Sequence, residues 1–150
     1  MSSANLENLV QRGLLEKRAP DPDEIRSHVR TARDLLAMAR LEGAPERGRF
    51  FNLYEGAHAV ALAGLKLAGY RSKEGEGSRQ LVMSLAEQTL VLRRGASAVL
   101  SDANRVRNNV AYAGGDVDVP ESTLESLDES IEEGIRELEQ RLRAMKRSTP

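Results

Sequence analysis

"FFNLYEGAHAVALAGLKLAG", residues 50–69, decides the fold class. Its charge is confined to Glu55 and Lys66, with His58 between them. A stretch this apolar on every side reads as a helix buried within a bundle. Gly56, Ala57, Ala61 and Gly64 are small, so a neighbouring helix can approach closely. We place a central core helix over residues 49–68, closed by Gly69, a natural C-terminal stop.

Working outward, the periodicity stays helical almost throughout. Leu6, Leu9, Val10 and Leu14 put a first helix over residues 5–17. "APDPD", residues 19–23, breaks it, because two prolines so close cannot continue a helix. Asp21 then caps and Pro22 opens a second helix reaching about residue 41, with Ile25, Val29, Ala32, Leu36 and Ala39 inward. "EGAPERG" separates it from the core helix. After it, "YRSKEGEGS" reads as the main flexible loop. A fourth helix spans residues 78–92 on Leu81, Val82, Leu85 and Leu92, and a fifth spans residues 96–112. In the last helix, residues 120–146, Leu124, Leu127, Ile131, Ile135, Leu138, Leu142 and Met145 form one apolar stripe. That stripe has two possible uses, packing within the chain or extending a dimer interface. Alternation of the kind that makes strands is missing. The expectation is an all-α, up-and-down bundle of five to six helices in one domain, residues 1–150, with residues 1–3 and 147–150 frayed.

Composition narrows the function. The 150 residues are 40% apolar and 30% charged, with a net charge of −1, so broad attraction to nucleic acid or anionic membrane is not expected. There is no cysteine, which removes disulfides, thiol nucleophiles and Cys-based zinc sites. The two histidines fall on different helices, so no metal site is expected and no cofactor is called for. No apolar run reaches the roughly 20 residues of a membrane span. "MSSANLENLV" lacks the basic-then-apolar pattern of a signal peptide, so a cytoplasmic location is expected. With aromatics at 3% and no tryptophan, a base-stacking platform has little to be built from.

The chemistry concentrates in "RVRNNVAYAG", residues 105–114. Val99, Ala103, Val106, Val110 and Ala113 make the inward stripe of this helix. Arg105, Asn108 and Tyr112 point away from it, while Arg107 and Asn109 flank it at about 80°. Arg107 and Tyr112 are roughly 140° apart, so they share a ligand most easily across a second copy of the helix. Guanidinium groups bind phosphate by forked hydrogen bonds, and Asn and Tyr can complete such a site. Against this, a helix C-terminus carries partial negative charge. By physics alone a solvated helix cap is the commoner outcome for these residues.

"RNNVAY" resembles the signature of the HEPN family (higher eukaryotes and prokaryotes nucleotide-binding): Arg, a polar residue, a short variable stretch, then His. The core-helix run through "GYR" and the stretch "LLEKRAPDPDEIRSHVRTARDLLAMA" resemble the family's central and N-terminal helices. The three pieces fall in the family's order within residues 14–114. The resemblance implies a dimerising helical bundle that binds nucleotides or RNA. It also implies membership in pairs of the toxin–antitoxin type, often with a minimal nucleotidyltransferase as partner. Many family members are metal-independent endoribonucleases. Carried over, the binding residues are Arg105, Arg107, Asn108 and Tyr112, and the catalytic ones, in an active protein, Arg107 and Tyr112. Tyr112 stands where the family has His, and a phenol with a pKa near 10 is a poor base at neutral pH. The resemblance therefore implies binding without robust nuclease activity. The alternatives are an active endoribonuclease toxin and a helical interaction module whose last helix is the partner surface.

Other candidates are weaker. His58, with Glu55 three residues before it, is either the missing base or, more commonly for such a residue, a partly buried histidine satisfied by its neighbours. His28, between Arg26 and Arg30, is expected to be solvated. "KEGEGS" lacks the spacing of a phosphate loop. Arg79, Arg93 and Arg94 either extend a basic rim or pair with glutamates on neighbouring helices.

Overall fold

The computed structural model describes residues 3–73, 78–90, 92, 95–114 and 117–148, with the side chains of residues 3, 4, 97, 111–113, 147 and 148 outside that description. Seven helices and one small sheet are present among the described residues. The helices are α1 (Ser3–Gln11), α2 (Pro22–Ala39), α3 (Glu46–Leu67), α4 (Ser78–Ser84), α5 (Ala86–Thr89), α6 (Ala96–Ala113) and α7 (Glu121–Ser148), and the strands are β1 (Leu15–Lys17) and β2 (Tyr70–Ser72). The all-α expectation holds.

α3 is the core. Phe50, Leu53 and Tyr54 are fully covered, and Gly56, Ala57, Ala61 and Gly64 are all buried. The small residues do what the sequence suggested. At Gly56 the space is closed by Ile131 of α7 and Leu35 of α2, and at Gly64 by Thr89 and Leu90. At Gly134 of α7 the closing side chain is Val60 of α3. α2 lies antiparallel to α3 and starts as expected, with the Asp21 carboxylate accepting from the Asp23 and Glu24 amides at 3.0 and 3.4 Å. Its five inward residues are all buried.

The α7 stripe packs within the chain. Leu124, Leu127, Ile131, Ile135, Leu138 and Leu142 are buried against α2, α3 and α6. Outside them, Arg40, the C-cap of α2, holds Asp128 at 2.6 Å and Glu132 at 3.0 Å, and Arg49 of α3 holds Glu121 at 2.7 Å.

Three expectations about the elements are corrected. The first helix ends at Gln11, not near residue 17, because Gly13 turns into the left-handed region (φ 77°) and leaves Leu14 exposed. The chain then forms β1, antiparallel to β2 with Leu15 opposite Ser72, Glu16 opposite Arg71 and Lys17 opposite Tyr70. Each strand is three residues long, too short for alternation to register, and the pairing joins segments far apart in sequence. Finally, the fourth helix is divided. The Ser84 hydroxyl bonds back to the Leu81 carbonyl at 2.7 Å, α5 restarts at Ala86, and Leu90 is extended. The ends are longer than expected: α1 starts at Ser3 and α7 continues to Ser148. Residues 74–77, the middle of the loop read from the sequence, lie outside the described residues.

Candidate functional site

α3, α4 and α6 converge on the ring of Tyr54. Leu100, Asn104 and Arg107 recur at helical spacing, so one face of α6 turns toward α3. The Tyr54 hydroxyl donates to Asn104 Oδ1 at 2.8 Å, a bond with both residues buried. Two guanidinium groups lie against the same ring. Arg79 of α4 is 5.5 Å from its centroid and Arg107 of α6 is 5.9 Å away. Arg79 also donates to both oxygens of Glu55, each at 3.0 Å. Burial pushes the Tyr54 phenol up, and the arginines only partly oppose this, so it stays protonated and able to donate.

His58 lies one turn beyond Tyr54 and is partly buried. Burial pulls its pKa down to about 4, the charge of Arg79 adds to this, Glu55 opposes it, and Arg107 contributes further. The imidazole is therefore neutral at pH 7. An unfolded chain takes up a proton near pH 6.5 while the folded one does not until about pH 4, so this histidine costs stability as pH falls from 6.5 toward 4. A proton NMR titration should show one histidine with a midpoint near 4. A midpoint above 6 would contradict the burial described.

The sequence-predicted residues separate. Arg105 is exposed, 3.8 Å from an equally exposed Asp102, a pair of little energetic worth. Arg107 is half-buried and turned toward Tyr54, with a long contact of 3.4 Å from its Nη1 to Asn108 Oδ1. Asn108 is exposed. Tyr112 belongs to the last turn of α6, and its side chain lies outside the described residues. Arg93 and Arg94 also lie outside them. The helix stops at Gly114, in the left-handed conformation (φ 70°).

His28 is corrected. It is half-buried, with Lys66 Nζ 2.8 Å from its Nε2, and burial followed by the charge of Lys66 lowers its pKa. On the helical wheel it looked solvated. The fold lays it against α3, where Lys66 is held 2.6 Å from Glu24.

Sequence reasoning missed Asn104. Its signal was the second spacing on α6, Leu100–Asn104–Arg107, which places a polar residue on a face that a neighbouring helix covers. Among the described residues no group of three or more acidic or histidine side chains is placed to hold a metal, and no helix is long and apolar enough to cross a membrane. No protein-family model, curated protein or solved structure matches the chain.

Proposed function

We propose that the protein is a HEPN-like nucleotide- or RNA-binding protein without robust nuclease activity. One observation carries this reading: Arg79 and Arg107, brought by different helices, both lie against a single buried tyrosine. Guanidinium groups bind phosphate through forked hydrogen bonds, and an aromatic face restrains each of these two. Arg107 is also the arginine that the HEPN signature singles out. A phosphate would compete with Glu55 for Arg79. Both members of that pair are more than a third exposed on their side chains, so the exchange costs little. Arg105 and Asn108, exposed on the same helix, are the next contacts for a longer ligand, and Tyr112 completes the set carried over from the family.

Cleavage is not part of the proposal. Strand scission by a ribose hydroxyl needs a proton acceptor near neutral pH. A phenol at the family's histidine position is too weakly ionised, and His58, held near pKa 4, is too weak a base. In this reading the protein works in the cytoplasm as a homodimer, paired with a minimal nucleotidyltransferase in a toxin–antitoxin-type arrangement.

The test is RNA and nucleotide binding in EDTA, wild type against Arg107→Ala. Binding should weaken with salt and fall roughly tenfold in the variant, the loss expected for one charged hydrogen-bonding group. Absence of binding in both proteins would end the proposal. RNA cleavage that disappears in Arg107→Ala would replace it with the endoribonuclease reading. The interaction-module reading cannot use the middle of the α7 stripe, since Ile131 and Leu138 are 1% and 0% exposed.

A further inference from the structure

A groove of about 1030 Å³ runs between the N-terminal half of α2 and the C-terminal turns of α7, sharing no residue with the Tyr54 cluster. Its walls are cationic in a chain of net charge −1, so the excess is local. On the α2 wall, Arg26, Arg30 and Arg33 recur at helical spacing, and Arg143 and Lys146 face them from α7. Arg26 pairs with Asp23 at 2.8 Å and Arg33 with Glu139 at 2.5 Å. Arg30, Arg143 and Lys146 are exposed and have no acidic partner among the described residues.

The floor between these walls is apolar, formed by half-buried Met145 and the edges of Val29 and Leu142, each 6% exposed. A cationic rim over an apolar floor matches a ligand with the opposite pattern, a hydrophobic stripe flanked by carboxylates. Met145 is unbranched and can adjust to such a stripe. Nucleic acid fits less well. Its backbone brings no apolar face for the floor, and no aromatic side chain lines the groove to stack a base. We infer that the α2–α7 groove docks an acidic amphipathic helix of a partner protein. The mode is helix-in-groove, with the partner's apolar residues on Val29, Leu142 and Met145 and its carboxylates on Arg30, Arg143 and Lys146. The inference goes beyond the nucleotide-binding proposal and stands independently of it.

The probe is a fluorescein-labelled synthetic peptide of about five helical turns, leucines at helical spacing on one face and glutamates beside them, read by anisotropy. The full chain should bind it with micromolar affinity at low salt. Arg30→Glu combined with Arg143→Glu should weaken binding more than about tenfold by reversing both rims. A control with the same net charge, Arg12→Glu with Arg18→Glu, changes exposed residues outside the groove and should leave binding within about threefold of wild type after the shared long-range charge effect. All substituted residues are exposed, so thermal melts should coincide. Equal weakening in the two double variants would overturn the inference, as would equal binding of a scrambled, non-amphipathic peptide. Stronger binding of a single-stranded RNA of matched charge, lost with the rim reversal, would reassign the groove to nucleic acid. A dimer in sedimentation that the rim reversal dissolves would reassign it to a second copy of this chain.

Discussion

Replacing Tyr54 with alanine should lower the melting temperature by about 10–15 °C. The ring is fully buried, and deleting a buried aromatic costs about 3–5 kcal/mol in lost transfer energy and residual cavity. Each kcal/mol lowers the midpoint by about 2–4 °C at this chain length. Tyr54→Phe separates the contributions. It keeps the ring and the two guanidinium contacts but removes the donor to Asn104, which is 5% exposed. An orphaned buried acceptor costs about 1–3 kcal/mol. Adding Asn104→Leu to Tyr54→Phe removes both partners and should recover most of that loss. If the double variant is no more stable than Tyr54→Phe, the buried bond is not what holds α3 to α6.

The second large effect is expected at Glu24. Its carboxylate lies 2.6 Å from Lys66 Nζ and accepts from Arg71 Nη2 at 2.6 and 2.7 Å. His28 bonds the same lysine. This network fastens α2 to α3 and to β2. The hydrogen bonds from Lys66 and then Arg71 hold the Glu24 carboxyl down at about 2. Glu24→Ala would leave two cations facing each other without the carboxylate between them. The three side chains are 16–31% exposed, so solvent screens part of this, and the loss should be about 2–4 kcal/mol. The sign of the pH dependence follows from the lowered pKa. Glu24's contribution is fully present above about pH 4.5, where the unfolded carboxyl is also ionised, and is lost as pH falls toward 2. Denaturant midpoints measured between pH 5 and 2 should therefore fall less steeply in Glu24→Gln than in wild type. Parallel slopes would mean that the carboxylate gains nothing from these partners.

The parts of this fold that could be read in advance are those carried by one repeating side-chain period. The inward residues of α2 and the stripe of α7 were legible because each of these helices shows its neighbours a single face, and the small residues of α3 because the helix around them is apolar on every side. Asp21 was legible as well, because capping depends on the local backbone. The β1–β2 pairing was not. Its bonds join residues 15–17 to residues 70–72, and neither segment is long enough to show a period of its own. His28 and Asn104 escaped for a related reason: one helical wheel shows which way a side chain points but not which helix is packed there.

The site divides in the same way. The sequence alone determined that Arg105, Arg107, Asn108 and Tyr112 share the end of one helix. Only the tertiary structure decided that Arg107 turns inward to the Tyr54 ring beside Arg79 while Arg105 stays with Asp102 at the surface. Spacing within a helix is fixed by its pitch, so it is present in the order of residues. Convergence of α4 and α6 on one tyrosine of α3 depends on how the buried area of all the helices sets them against one another, and no local pattern contains that information.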